Sequence, residues 1–328
     1  MAKTKQKKVE DSFNSLYADG GLVNLGENPR YTEKVKTNRP SIDYVTDGGL
    51  PKGRLILIAG EPSAGKSSLT IQVAEAFGKK ILYLDTEMTL TTDYLESLGA
   101  NPINFTHATP SSTEQLCNII REQIPNFDVI VVDSINNSAS EEQLQKNAEE
   151  RTMANRALVL ASQLPIFVGL CNQYNTSLIV LSQVRDNMNK ANKYSPDTVV
   201  PGGRSLHHNS SLTLELFKSS KKKSKDGDEL SNKSESIEGN MVRIKCTKNK
   251  VGIVNREVSV EFTYGLGYTV EADVASAALR LGILERAGSW VKYKGTSVAQ
   301  GLDKVVPVLF NNPDLLKELK TEIENKTE

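Results

Sequence analysis

Apolar and polar positions fall into two patterns along this chain of 328 residues. Short apolar runs at 54–59, 80–84, 129–132 and 178–181 are bounded by glycine or polar residues, the pattern of strands buried on both faces. Longer amphipathic stretches separate them; after the first run, Leu69, Val73, Ala76 and Phe77 recur at helical spacing. This alternation predicts an α/β fold, a mostly parallel central sheet with helices packed on it. Later runs at 212–217, 241–247 and 257–262 alternate apolar with polar residues and lie close together, so they are expected to extend the sheet as antiparallel strands.

The flanks differ from this core. Residues 1–40 are polar, with a short helix expected at 9–17 and a boundary at Pro40. The core is expected to span 41–271, and 272–328 to form a small C-terminal α+β domain around a glycine-rich middle that holds Trp290 and Tyr293. Within the core, residues 218–240 are rich in Lys, Ser, Asn and Glu and lack apolar periodicity, which predicts a disordered hairpin insertion with solvated lysines, a contact of those lysines with a phosphate backbone being the alternative.

Composition narrows the function. Lys plus Arg and Asp plus Glu number 40 each, so no global charge draws the chain to nucleic acid and any such site has to be local. Cys117, Cys171 and Cys246 lie far apart with no His at ligand spacing, which argues against a disulfide framework or a zinc site and fits a cytoplasmic setting. The basic residues 1–8 lack the apolar segment of a secretory signal, and no apolar run is read as long enough to span a bilayer, so no membrane is expected as a partner.

The most specific chemistry follows the first run. Gly60, Glu61, Pro62, Ser63, Ala64, Gly65, Lys66 and Ser67 form a complete P-loop between a strand and a helix that continues through Ser68. Backbone N–H groups curl around phosphate oxygens, Lys66 adds charge near the β and γ phosphates, and Ser67 can ligate Mg²⁺. Ligands of such sheets collect at the carboxyl ends of the strands, so the first polar residues after each run are candidates. Asp133 reads as the carboxylate that holds Mg²⁺ through water beside Ser67. Glu87 reads as the base that deprotonates an attacking water, with a helix-capping acid as the alternative. Gln183 reads as a sensor of the γ-phosphate, or as a satisfied loop amide.

Directly after Gln183, residues 184–203 form a polar stretch in which nothing is expected to pack. Arg185, Lys190, Lys193 and Tyr194 suit a strand of nucleic acid, the cations on phosphate and the ring on a base or sugar, before the stretch closes on Gly202 and Gly203. Residues 141–153 are a companion loop or a solvated helix start. Lys248 and Lys250 end a strand in which Arg243 and Lys245 share a face; Lys248 is expected in a turn with Asn249, and both lysines, on their own, read as solvated surface charge.

Taken together, several of these residues carry a resemblance. Gly26-Glu27, Ser41-Ile42-Asp43, the stretch 48–54, the P-loop, 129–134, Gln183, Gly202-Gly203, Lys248-Asn249-Lys250, Ala287-Gly288 and Tyr293-Lys294-Gly295 occur in the order of the RecA family of homologous-recombination ATPases, bacterial type. The chain resembles that family over nearly its whole length. The resemblance implies a DNA-dependent ATPase that forms a right-handed helical filament on single-stranded DNA, binds ATP and Mg²⁺ between adjacent protomers, and exchanges strands with a homologous duplex. It implies protomer contacts for residues 1–40. It makes Glu87 the water-activating glutamate, Gln183 the γ-phosphate sensor and Tyr94 the ring that stacks on adenine. Lys248 and Lys250 become cations that reach the neighbour's γ-phosphate. Residues 184–204, including Arg204, match the second DNA loop, and Arg151, Thr152 and Met153 match the first, with Met153 as a wedge between bases.

The sequence also departs from the family. His207-His208 stands where the family typically has Lys-Phe at a protomer contact, and the chain stops at Lys326-Thr327-Glu328 without an acidic tail, so weaker autoinhibition of duplex binding is expected. Two other functions fit parts of the pattern, a ring-forming DNA motor of the same superfamily and a non-hydrolysing recombinase mediator.

Overall fold

The computed structural model describes residues 31–138, 153–186, 198–199, 203–223 and 237–327. The helix expected at 9–17 lies outside them. Residues 34–328 form one unit by their internal contacts. It opens with a two-residue ladder of β1 (Lys34–Val35) and β2 (Leu50–Pro51). Between them runs α1 (Pro40–Val45), with Pro40 at its first position, where a missing N–H and a fixed φ cost nothing.

The central sheet is built from β3 (Leu55–Gly60), β4 (Ile81–Asp85), β5 (Phe105–Ala108), β6 (Val129–Asp133) and β7 (Ser177–Gln183). After a short outlying ladder of β8 (Arg185–Asp186) and β9 (Thr198–Val199) it continues with β10 (Leu212–Lys223), β11 (Ile237–Asn249) and β12 (Glu257–Thr263). The eight strands lie in the order β12-β11-β10-β3-β7-β6-β4-β5. From β10 to β5 every pairing is parallel, and β11 and β12 add on antiparallel. Crossovers include α2 (Lys66–Ala74), α3 (Thr92–Ser97), α4 (Thr113–Gln123), α5 (Met153–Tyr174) and α6 (Gly203–Asn209).

Alternation along the strands divides the apolar residues between two layers. Ile56, Ile58, Ile81, Tyr83, Val129, Val131, Ile179 and Leu181 face α2 and its Leu69, Ile71 and Val73. Their neighbours Leu55, Leu57, Leu82, Leu84, Ile130, Val132, Leu178 and Val180 face α4 and α5. Because both faces are covered, the strands are continuous apolar runs, which is why four of them were legible in the sequence. A third cluster joins α7 (Val270–Arg280), the antiparallel sheet β13 (Leu284–Ala287), β14 (Trp290–Tyr293) and β15 (Thr296–Gln300), α8 (Val305–Phe310) and α9 (Pro313–Thr327).

Three expectations need correction. Residues 218–223 and 237–240, the described part of the expected hairpin insertion, are not without structure: they are the paired ends of β10 and β11, with Lys218 opposite Val242 and Lys223 opposite Ile237, while 224–236 lie outside the described residues. Apart from Ile237 these residues are polar or glycine, so they left no apolar period to read. β5 was missed for a related reason, since Thr106 and His107 at this sheet edge are exposed. Finally, Ala157–Tyr174 is uncharged and long and apolar enough to cross a bilayer by length and composition, contrary to the reading that no run approaches that length. Its stripe of Leu160, Leu164, Phe167 and Cys171 is buried against the sheet, and the rest of that stretch is half-buried or exposed.

Candidate nucleotide site and its surroundings

β3 and β4 follow one another in sequence but are separated by β7 and β6 in the sheet, so a crevice opens at their carboxyl ends. The P-loop occupies it. Ser63 and Gly65 take positive φ, 58° and 74°, to turn the backbone. A Cβ at Gly65 would stand 2.7 Å from the Phe262 ring and 2.9 Å from the Tyr268 hydroxyl, so only glycine fits. That hydroxyl in turn donates to the Ala64 carbonyl at 2.7 Å and holds the loop down.

Lys66 folds back into its own loop. Its Nζ donates to the carbonyls of Gly60 at 3.2 Å and Glu61 at 2.9 Å. Burial lowers its pKa, while Asp133 and Glu87 act in the opposite direction and favour the cation. At the end of β6, Asp133 is buried; burial raises its pKa, and hydrogen bonds from the Ser67 and Tyr83 hydroxyls oppose that rise. Tyr83 donates to Asp133 Oδ2 at 2.6 Å, and the phenol, itself buried, is pushed well above its ordinary pKa by burial and by that carboxylate.

The donor set fits Mg²⁺. A hydroxyl and a carboxylate meet beside the phosphate cradle, and among the described residues no group of three or more His, Cys, Asp or Glu could hold a metal alone. Magnesium in nucleotide sites is held in this sparse way, with phosphate oxygens and waters completing the shell.

Glu87 sits in the turn after β4 but caps no helix. Asp85, fully buried, organises that turn: it accepts from the backbone N–H of Glu87 at 3.1 Å and of Thr89 and Leu90 at 2.8 Å each, while Thr91 caps α3. Thus Glu87 keeps its carboxylate for the crevice. Its Oε1 accepts from Ser134 Oγ at 2.9 Å, Asn137 Nδ2 at 3.0 Å and Gln183 Nε2 at 3.3 Å. Among the described residues nothing donates to Oε2.

One cleft of about 410 Å³ is lined by Lys66, Ser67, Glu87, Tyr94, Asp133 and Gln183, which the sequence singled out separately. Tyr94 reaches it from α3 and shares a 2.8 Å hydrogen bond with Ser68. Phe262 and Tyr264, from the end of β12, line the same cleft and were not anticipated. Tyr83 and Asn137 were missed too. Tyr83 read as one more apolar strand residue, and only the pairing of β4 with β6, which sets Asp85 opposite Asp133, brings its hydroxyl to Asp133.

The expected nucleic-acid residues are described in part. Arg151, Thr152, Lys190, Lys193, Tyr194 and Gly202 lie outside the described residues. Met153 opens α5, so the companion loop ends one residue earlier than read. Arg185 lies in β8, and Gly203 and Arg204 open α6. The expectation that nothing in 184–203 packs is corrected: Val184 is buried in the second core, and β8 pairs with β9. Lys248 is not in a turn but in β11, opposite Thr213. Its Nζ donates to the His207 carbonyl and, at 2.9 Å, to that of His208; Lys250 Nζ donates to the latter at 3.2 Å. Both cations therefore sit on the carbonyl end of α6, where the helix dipole favours positive charge, and neither lines the chain's own cleft.

A parallel α/β sheet with a P-loop, a buried acid beside its serine and a second carboxylate across the crevice defines a P-loop ATPase. Comparison with known proteins specifies which kind. The family described as RecA N-terminal domain matches residues 5–269, and that described as RecA C-terminal domain matches 272–328. Protein RecA of Fusobacterium nucleatum is 29% identical over 97% of this chain and 84% of its own length. Protein RecA of Thermus thermophilus is 28% identical over 98% and 95%. The crystal structure of the RadB recombinase, at 22% identity and a TM-score of 0.51 over 70% of this chain and 96% of that one, shares the fold. The chain belongs to the RecA family. It is accordingly a recombination ATPase whose hydrolysis depends on DNA, and a nucleotide- and DNA-binding protein that assembles with copies of itself.

Proposed function

We propose that the chain forms a helical filament on single-stranded DNA in the cytoplasm, binds Mg²⁺-ATP at each protomer seam, and exchanges strands with a homologous duplex. Residues 1–40 supply protomer contacts, 41–271 the ATPase core and 272–328 a small C-terminal domain. The P-loop amides and Lys66 grip the triphosphate, Ser67 and Asp133 would hold the metal, and Tyr94 lies against the base. There Mg²⁺ would supply charge neutralisation for the phosphates. The attacking water gives its proton to the Glu87 carboxylate as its oxygen bonds to the γ-phosphorus and the bond to the ADP oxygen breaks. Lys248 and Lys250 leave α6 to stabilise the charge at the neighbour's γ-phosphate.

The observation that carries this reading is the hydrogen bond from Gln183 to Glu87, which ties the phosphate end of the cleft to the start of the second DNA loop. In that role Gln183 exchanges Glu87 for the γ-phosphate, and the loop carrying Arg185, Lys190, Lys193, Tyr194, Gly202, Gly203 and Arg204 follows; Arg151, Thr152 and Met153 contact the DNA from the first loop. Lys66→Ala is expected to abolish ATP-dependent assembly on single-stranded DNA. Glu87→Gln is expected to assemble but to hydrolyse ATP at least about a hundredfold more slowly. Hydrolysis by Glu87→Gln at the parent rate removes Glu87 from the mechanism. Binding to DNA should also fall steeply with salt, as phosphate contacts demand.

A further inference from the structure

The cluster on Glu87 Oε1 points to a residue that the proposed mechanism has not used. Three donors converge on one carboxylate oxygen and, among the described residues, none on the other. They come from two places. Gln183 ends β7, where the polar stretch read as the second DNA loop begins. Ser134 and Asn137 follow β6, and Asn137 stands two residues before the segment 139–152, which holds most of the stretch read as the first DNA loop.

Asn137 is well placed to hold a carboxylate. Its own backbone N–H donates to the Ser134 carbonyl at 3.3 Å, closing a short turn. The next residue, Ser138, is buried and accepts from Thr113 Oγ1 at 3.0 Å, which pins the far side of that turn to α4. Its amide therefore reaches Glu87 from an anchored backbone. The side chain is nonetheless exposed, and nothing in the apolar core depends on it.

We infer that Asn137 is a positioning residue for Glu87, and that it links the first DNA loop to the catalytic carboxylate as Gln183 links the second. Donors on Oε1 fix the carboxylate plane, which leaves Oε2 as the oxygen that takes the proton of the attacking water. When Gln183 moves to the γ-phosphate, Ser134 and Asn137 still hold Oε1. Loss of the Asn137 donor lets the carboxylate rotate, and small misplacements of a reacting group are costly in rate. The inference rests on the reading of Glu87 as the base and of the segments after Asn137 and Gln183 as DNA loops.

The test compares the full-length protein with Asn137→Leu, which keeps the shape and removes the donor, and Asn137→Gln, which restores an amide. Steady-state ATP hydrolysis is measured with saturating single-stranded DNA and without it, beside nucleotide affinity and thermal stability. Asn137→Leu is expected to lower kcat with DNA by about tenfold, to lower DNA-independent turnover less, and to leave KM for ATP within about twofold, the pattern of an interaction made in the transition state. Asn137→Gln is expected to recover most of the loss. Parent-like kcat in Asn137→Leu, or an equal proportional loss with and without DNA, overturns the inference. Glu87→Gln measured alongside separates the two failures: an inactive Glu87→Gln beside a normal Asn137→Leu refutes only the role of Asn137, whereas an active Glu87→Gln refutes the reading of Glu87 itself.

Discussion

At the residue scale, the site depends on buried hydroxyls and carboxylates whose partners are fixed by strand register. Tyr83 illustrates the dependence. Its ring fills the layer under α2 while its hydroxyl donates to Asp133 at 2.6 Å, so one side chain both packs and orients the carboxylate read as the metal's holder. Partners of this kind set the direction of a metal-binding oxygen, and their loss typically costs about 10-fold or more in metal affinity. Tyr83→Phe is therefore expected to raise the Mg²⁺ concentration needed for half-maximal nucleotide binding by about tenfold, with thermal stability nearly unchanged. An unchanged Mg²⁺ dependence, followed by fluorescence of a labelled nucleotide, rules out that role. The nature of this residue hid it from the sequence: a tyrosine in an apolar run gives no sign of where its hydroxyl ends. The P-loop, by contrast, was legible because its chemistry lies in consecutive residues. Glu87, Asp133 and Gln183 were legible because each ends a strand or stands within two residues of its end, at the edge where ligands collect.

At the scale of elements, the doubly covered sheet made the fold readable and its margins obscure. Interior strands announce themselves as apolar runs because helices bury both faces, whereas β5 at the edge and the polar ends of β10 and β11 do not. Helix α5 was overlooked for the opposite reason, since apolar residues appear on most of its faces and blur the stripe that packs. That stripe is real. Phe167 is 1% exposed within it, and Phe167→Ala is expected to destabilise residues 34–328 by about 3–5 kcal/mol through the cavity it leaves. Phe310 on α8 is 74% exposed, so Phe310→Ala should change stability by less than about 0.5 kcal/mol. Urea denaturation of the two variants checks the contrast, and comparable losses contradict the packing described for α5.

At the scale of the whole molecule, the lone chain brings together most of the site proposed for catalysis. Lys66, Glu87, Asp133 and Gln183 meet in one cleft, while Lys248 and Lys250 rest on the carbonyl end of α6, outside it. A head-to-tail contact between copies can supply those cations from a neighbour, and such contacts propagate into filaments. The family resemblance supplied this role for the lysines. Their own residue types and spacing read as ordinary surface charge, because completion of a site by a second copy leaves no mark within one chain.

Mixing two inactive variants tests the shared site directly. Glu87→Gln keeps the lysines and lacks the base; the double variant Lys248→Ala, Lys250→Ala keeps the base and lacks the cations. Each alone is expected to lose DNA-stimulated ATP hydrolysis. An equimolar mixture on single-stranded DNA is expected to regain about a quarter of the parent rate, because in a random head-to-tail array about one seam in four joins an intact base to intact lysines. A mixture that hydrolyses ATP no faster than the two variants measured separately contradicts an active site shared between neighbouring copies.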